Sequence, residues 1–72
     1  QWGYVSVIHV PDNKVKFVLE MKRIFALTIP TATLLKGLNK LPYVLAQEIS
    51  RFKAEKLINK TSFPELYRFF SK

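Results

Sequence analysis

Lys53, Lys56 and Lys60 recur at spacings of three and four, and no acidic residue stands three or four positions from any of them. On a helix this spacing stacks three ammonium groups on one face. The chemistry open to such a stripe is electrostatic: it can neutralise successive phosphates and release the counterions condensed on a nucleic acid. A solvated helix end is the plainer account of the same residues, because cations are favoured near a helix C-terminus. Glu48, Arg51 and Glu55 share the same spacing but can pair among themselves, so that face carries little net field. Lys14, Lys16, Lys22 and Arg23 form a second candidate for anion binding, at the N-terminal hairpin described below.

Covalent and acid–base chemistry finds no constellation. Cysteine is absent. His9 is the single histidine, stands beside Val10 and Pro11, and has no nearby acid in sequence to orient it. Ser6, Ser50, Ser62 and Ser71 lie in no nucleophile-elbow context. The carboxylates have ordinary readings: Glu48 and Glu55 in helix pairing, Glu65 in a cap, Asp12 in a turn, and Glu20 on the solvent face of a strand. Gly3 and Gly37 cannot build a phosphate-cradling loop. No catalytic residue, metal ligand set, cofactor or small-molecule substrate is therefore expected, and the chain reads as a non-enzymatic binding protein.

The elements that must position these side chains follow from the pattern. Trp2 to Val10 is rich in β-branched and aromatic residues and reads as a strand. Pro11-Asp12-Asn13-Lys14 has turn chemistry. From Lys14 to Met21, Val15, Phe17, Leu19 and Met21 alternate with polar residues, Val18 excepted, which predicts the second arm of an antiparallel hairpin. Ile24 to Ile29 is a third strand; one long bent strand over 14–29 competes with two short ones, and two are favoured. Pro30 ends the extended region, Thr31 caps a short helix through Lys36, and Gly37 provides its left-handed exit.

Asn39 caps a long helix to about Ile58, on which Leu41, Leu45, Ile49 and Phe52 make one apolar stripe. Tyr43, Ala46, Ser50, Ala54 and Leu57 make a second, smaller-residue stripe, a candidate protein interface. Ser62-Phe63-Pro64-Glu65 reads as a capping box before a last short helix carrying Phe63, Leu66, Tyr67 and Phe70. The fold expected is α+β: a small antiparallel sheet of two or three strands with an N-terminal hairpin, covered on one face by two or three C-terminal helices. Its core should hold Val7, Val15, Phe17, Leu19, Phe25, Leu27, Leu34, Leu45, Ile49, Phe52, Leu66 and Phe70.

Composition sets the class. The 72 residues carry a net charge of +7, and 49% of them are hydrophobic. One small domain over 1–72 is the expectation, and the first residue, Gln1, suggests a processed product or a piece of a longer chain. No apolar run reaches the roughly 18 residues of a membrane span, and the cytoplasm is the expected compartment. The basic charge wants an anionic partner, nucleic acid or an acidic protein surface. Only three of the twelve basic residues are arginine, so contacts to DNA or RNA should go mainly to phosphate with weak sequence preference. The alternative is an assembly module that dimerises, or docks on a larger protein, through the long helix. A membrane surface fits less well, because the mixed stripes lack a clean amphipathic moment.

Overall fold

The computed structural model describes residues 1–72. The chain runs β1 (Trp2–Val7), α1 (Lys14–Phe25), α2 (Thr31–Gly37), β2 (Tyr43–Ser50), α3 (Arg51–Ile58), a single 3₁₀ turn (Pro64–Leu66) and β3 (Tyr67–Ser71). It is a small α+β fold with a three-stranded antiparallel sheet in the order β2-β1-β3. The arm that pairs with β1 first in sequence is Tyr43–Ser50, not the residues from Lys14 onward. All three helices contribute to one core on the face of β1 that carries Val5 and Val7.

β1 forms because its aromatic and β-branched residues suit a pleated strand flanked on both sides. Val5 and Val7 are completely buried and lie opposite Phe69 and Tyr67 of β3. The rings of Phe17 and Phe25 pack 5.5 Å from that of Tyr67, which fixes this face as the helix side. By alternation Trp2, Tyr4 and Ser6 face the other way, with Arg68 and Phe70 across from Ser6 and Tyr4. Gly3 sits where no side chain fits: a Cβ would stand 1.9 Å from the carbonyl oxygen of Phe70.

The expected strand over Lys14–Met21 is a helix. Asn13 caps it, its side chain accepting the Lys16 N–H at 3.1 Å, and Lys22 and Arg23 fall in the last turn, where cations suit the helix dipole. Phe17, Val18 and Met21 are buried at helical spacing. Val18 breaks an alternation but lies on the inner face of a helix, while Val15 and Leu19 are turned out, 53% and 55% exposed. The expected strand from Ile24 to Ile29 is likewise absent: Ile24 and Phe25 finish α1, and Ala26 closes it in the left-handed conformation. α2 lies where Pro30 and Thr31 predict it, but Thr31 is its first residue rather than its cap. Gly37 is not left-handed; it is small because the Tyr43 ring would lie 2.5 Å from a Cβ there.

The long helix from residue 40 does not exist. Its first half is β2, and the register against β1 slips twice, between Gly3 and Val5 and again between Val5 and Ser6. Each slip inserts an extra residue on β2, a β-bulge, and Glu48 takes a positive φ of 52° within the first. Two bulges bring Leu45 and Ile49 inward four residues apart, which imitates a helical stripe. The last helix is also absent beyond the turn at Pro64–Leu66, and Tyr67–Ser71 pairs with β1. Ser62 does not form the capping box. Its N–H and hydroxyl donate to the two carboxylate oxygens of Glu20, at 3.0 and 2.6 Å, and so clamp the loop to α1.

Burial pushes the Glu20 carboxyl up, but the Ser62 hydroxyl and N–H, with Arg23 and Lys16 nearby, outweigh it and hold its pKa below the ordinary 4.5. A carboxylate depressed in the folded state stabilises the fold above its unfolded pKa, and that contribution is lost as pH falls through the folded value. Glu20→Gln should therefore lower the melting temperature at neutral pH and flatten its decline below about pH 4.5. Thermal unfolding of both proteins across pH checks this; parallel curves would contradict it.

Of the expected core, Val7, Phe17, Leu34, Leu45 and Ile49 are buried, and Phe25, Leu27 and Leu66 pack against the cluster. Phe70 is half-buried on the opposite sheet face. Phe52 is 79% exposed, because α3 starts at Arg51 and turns Ala54 and Ile58 inward instead. Phe52→Ala should thus change stability by less than about 0.5 kcal/mol. A core phenylalanine would cost about 3–5 kcal/mol, so denaturant unfolding separates the two placements. No helix is long and apolar enough to cross a membrane.

Candidate functional site

α3 is the element that carries the lysine stripe, and local chemistry fixes its start. Ser50 leaves β2 in an extended conformation, and its hydroxyl accepts the Lys53 N–H at 3.2 Å. The Arg51 N–H donates to the Gln1 carbonyl at 2.9 Å, which ties the first turn to the beginning of β1. Ala54 is fully buried and Ile58 nearly so, which sets the rotation of the helix. Asn59 remains helical (φ −68°, ψ −14°) and the Lys60 N–H bonds to the Leu57 carbonyl at 3.0 Å, so Lys60 continues the spiral. At about 100° per residue, Phe52, Lys56, Lys60 and Lys53 follow one another across roughly a third of the helix circumference, opposite Ala54. All four are exposed.

The three lysines are free of ion pairs. The structure holds two pairs, Arg51 with Glu55 at 3.4 Å and Lys72 with Glu48. Arg51 is further engaged by Gln1 at 2.6 Å and lies over the Phe69 ring, 4.9 Å from its centroid. Glu20 is held by Ser62. None of Lys53, Lys56 and Lys60 is ion-paired with a carboxylate.

Lys14, Lys16, Lys22 and Arg23 lie on α1 rather than on a hairpin, and the helix disperses them. Lys16 and Arg23 share a face and line a groove of about 790 Å³ between α1 and the Ser62–Phe63 loop. Asp12 and Glu20 line the same groove, so the charges there balance. Lys14 projects about 160° away from Lys16 around the helix, and Lys22 about 120° away. Lys22 is half-buried, with Nζ 3.5 Å from the Thr31 hydroxyl. The groove is the largest concavity, but its cations are matched and it is the weaker anion site.

The small-residue stripe of Tyr43, Ala46, Ser50, Ala54 and Leu57 is not a surface. Residues 43–50 are extended, so these side chains share no helix face. Ala54 is buried in the core, Tyr43, Ala46 and Leu57 pack against it, and Ser50 caps α3.

His9 is exposed just beyond β1, and no group of three or more His, Cys, Asp or Glu side chains gathers as a metal site. Sequence reasoning overlooked Trp2, which is 60% exposed and pairs with Ser50, the cap of α3. Its position at the start of an alternating strand, in phase with Tyr4 and Ser6, is the signal that would have flagged it. No protein-family model, curated protein or solved structure matches the chain.

Proposed function

We propose that the protein binds nucleic acid, without catalysis, mainly through phosphate contacts made by Lys53, Lys56 and Lys60. The observation that carries this reading is that these three lysines stand together on one helix face, exposed and without an acidic partner. The net charge of +7 supports it by drawing any polyanion to the surface. Lysine is a point charge without the bidentate geometry that reads a base edge, so discrimination among sequences should be weak. The assembly reading drew on the high apolar content, the aromatic C-terminus and a doubly apolar long helix, and of these the helix is replaced by β2 and α3.

The test is fluorescence anisotropy of a labelled mixed-sequence oligonucleotide, DNA and RNA in turn, at about 0.02 M and 0.2 M salt. Binding should be evident at the lower salt and fall steeply at the higher, with little difference between sequences. In the cytoplasm, the compartment that goes with this reading, screening acts over about 8 Å and leaves such binding weak. Absence of binding to either nucleic acid at the lower salt would reject the proposal.

A further inference from the structure

All helices pack on the Val5 and Val7 side of the sheet, which leaves the other face without a helix over it, although Ser6 at its centre is buried among its neighbours. That face is aromatic and basic. Tyr4 and Phe70 stand on adjacent strands with their rings stacked, centroids 5.3 Å apart and planes 19° from parallel. Arg68 is exposed across from Ser6, and Trp2 lies two residues along β1 from Tyr4, so all project to the same side. The tryptophan is mostly exposed, and the aromatic pair is partly so.

Trp2 also joins this face to the lysine stripe. It pairs with Ser50, and it lines a surface pocket of about 320 Å³ together with Lys53 and with Phe25, Ile49 and Leu57 from the helix side. Glu48 lines the pocket too, but its carboxylate is engaged by Lys72. Trp2 thus stands next to Lys53 and two residues along β1 from Tyr4.

We infer that the nucleic acid taken by this protein is single-stranded, its bases stacking on Trp2 and the Tyr4–Phe70 pair while its phosphates reach Lys53 and the lysines beyond it. The inference rests on the nucleic-acid reading above. Bases in a duplex already stack on one another and present only their edges, so an aromatic platform gains nothing from them without unstacking. Unpaired bases offer their faces to any exposed ring and do so with little regard to sequence. Arg68 on the face and Lys53 at its edge supply positive charge that suits a phosphate backbone and would oppose contact with a second copy of this basic chain.

Trp2 is the single tryptophan, so its fluorescence reports this contact directly. The protein is titrated at low salt with oligo(dT) of about 12 nucleotides, within the site sizes of single-strand binders, and with a duplex of the same length. The single strand should quench Trp2 and bind at least several-fold more tightly than the duplex. Trp2→Ala should weaken single-strand binding roughly 5- to 150-fold, the range for one stacked base, and leave duplex affinity and the melting temperature nearly unchanged. Trp2→Phe should restore part of the loss. If both ligands bind but Trp2 is not quenched and Trp2→Ala binds dT normally, the stacking inference fails and the phosphate reading stands. If neither binds, both fail. A fluorescence change with protein concentration alone, with a dimer by light scattering, would assign the face to a second copy and overturn the inference.

Discussion

Replacing Lys53, Lys56 and Lys60 together by Gln lowers the slope of log K against log salt by about 2 to 3 units, if each lysine neutralises one phosphate. The three are exposed on one arc of α3 and the turn that continues it, and pair with no carboxylate, so each is available to do so. Electrostatic differences of this kind converge near 1 M salt, so at about 0.05 M the triple variant should bind on the order of 10³-fold more weakly. Stability should move by less than about 0.5 kcal/mol, because no folded contact is removed and like-charge neighbours at three and four residues repel slightly. Loss of binding with an unchanged melting temperature thus reports the contact rather than the fold. Lys16→Gln with Arg23→Gln is the informative control. Those two cations share their groove with Asp12 and Glu20, and removing them should change the slope by clearly less.

The largest effect on stability is expected at Gly3, the residue of β1 that lies opposite both Ile49 and Ser71. A methyl group there would stand 1.9 Å from the Phe70 carbonyl oxygen and 2.8 Å from the Ser71 Cα. Both atoms are backbone, so relief requires β3 to move away from the central strand and its hydrogen-bonded ladder to open. Overpacking that only reorients side chains costs about 1–3 kcal/mol. Gly3→Ala should reach or exceed the upper end of that range. A chain of this size has a total stability of roughly 4–11 kcal/mol, and each kcal/mol shifts the melting temperature of a small domain by about 4–8 °C. Thermal unfolding followed by circular dichroism should therefore show a fall of about 12 °C or more, or no folded protein. A fall of under about 3 °C would mean that β1 and β3 are not packed as described.

The sequence made β1 and the position of α2 legible, because β-branched density and Pro30 act locally. It misplaced the elements whose identity is set by partners. In α1 the alternation of Val15, Phe17, Leu19 and Met21 is real, yet tertiary packing selects Phe17, Val18 and Met21, and the cap at Asn13 settles the helix. In β2 two bulges turn a period of two into an apparent period of four at Leu45 and Ile49. β3 carries Tyr67, Phe69 and Phe70, residues at home in a strand, but it also follows a proline turn that resembles a helix start. The α+β class survived these exchanges because the number of apolar faces is the same whichever segments supply them.

The candidate site fared better than the fold around it. Lys53 and Lys56 lie on α3, and Lys60 lies in the turn that continues it, whether the helix begins at residue 40 or at 51. They therefore keep to one side of the spiral, although the helix expected to carry them was more than twice the length of α3. The small-residue stripe crossed the boundary between β2 and α3 and could not survive it. Phe52 was assigned to the core and Trp2 to no role, and their exposure is visible only once Ala54 and Ser50 fix the rotation of α3 and the end of β2.

The central claim is one of location, and backbone amide NMR during titration with a short oligonucleotide at low salt tests it most directly. Shift changes should concentrate on Arg51 to Lys60 and on Trp2, with those along the outer face of α1 staying small. Changes centred on Lys16, Arg23 and Phe63, or none at an oligonucleotide excess, would contradict it.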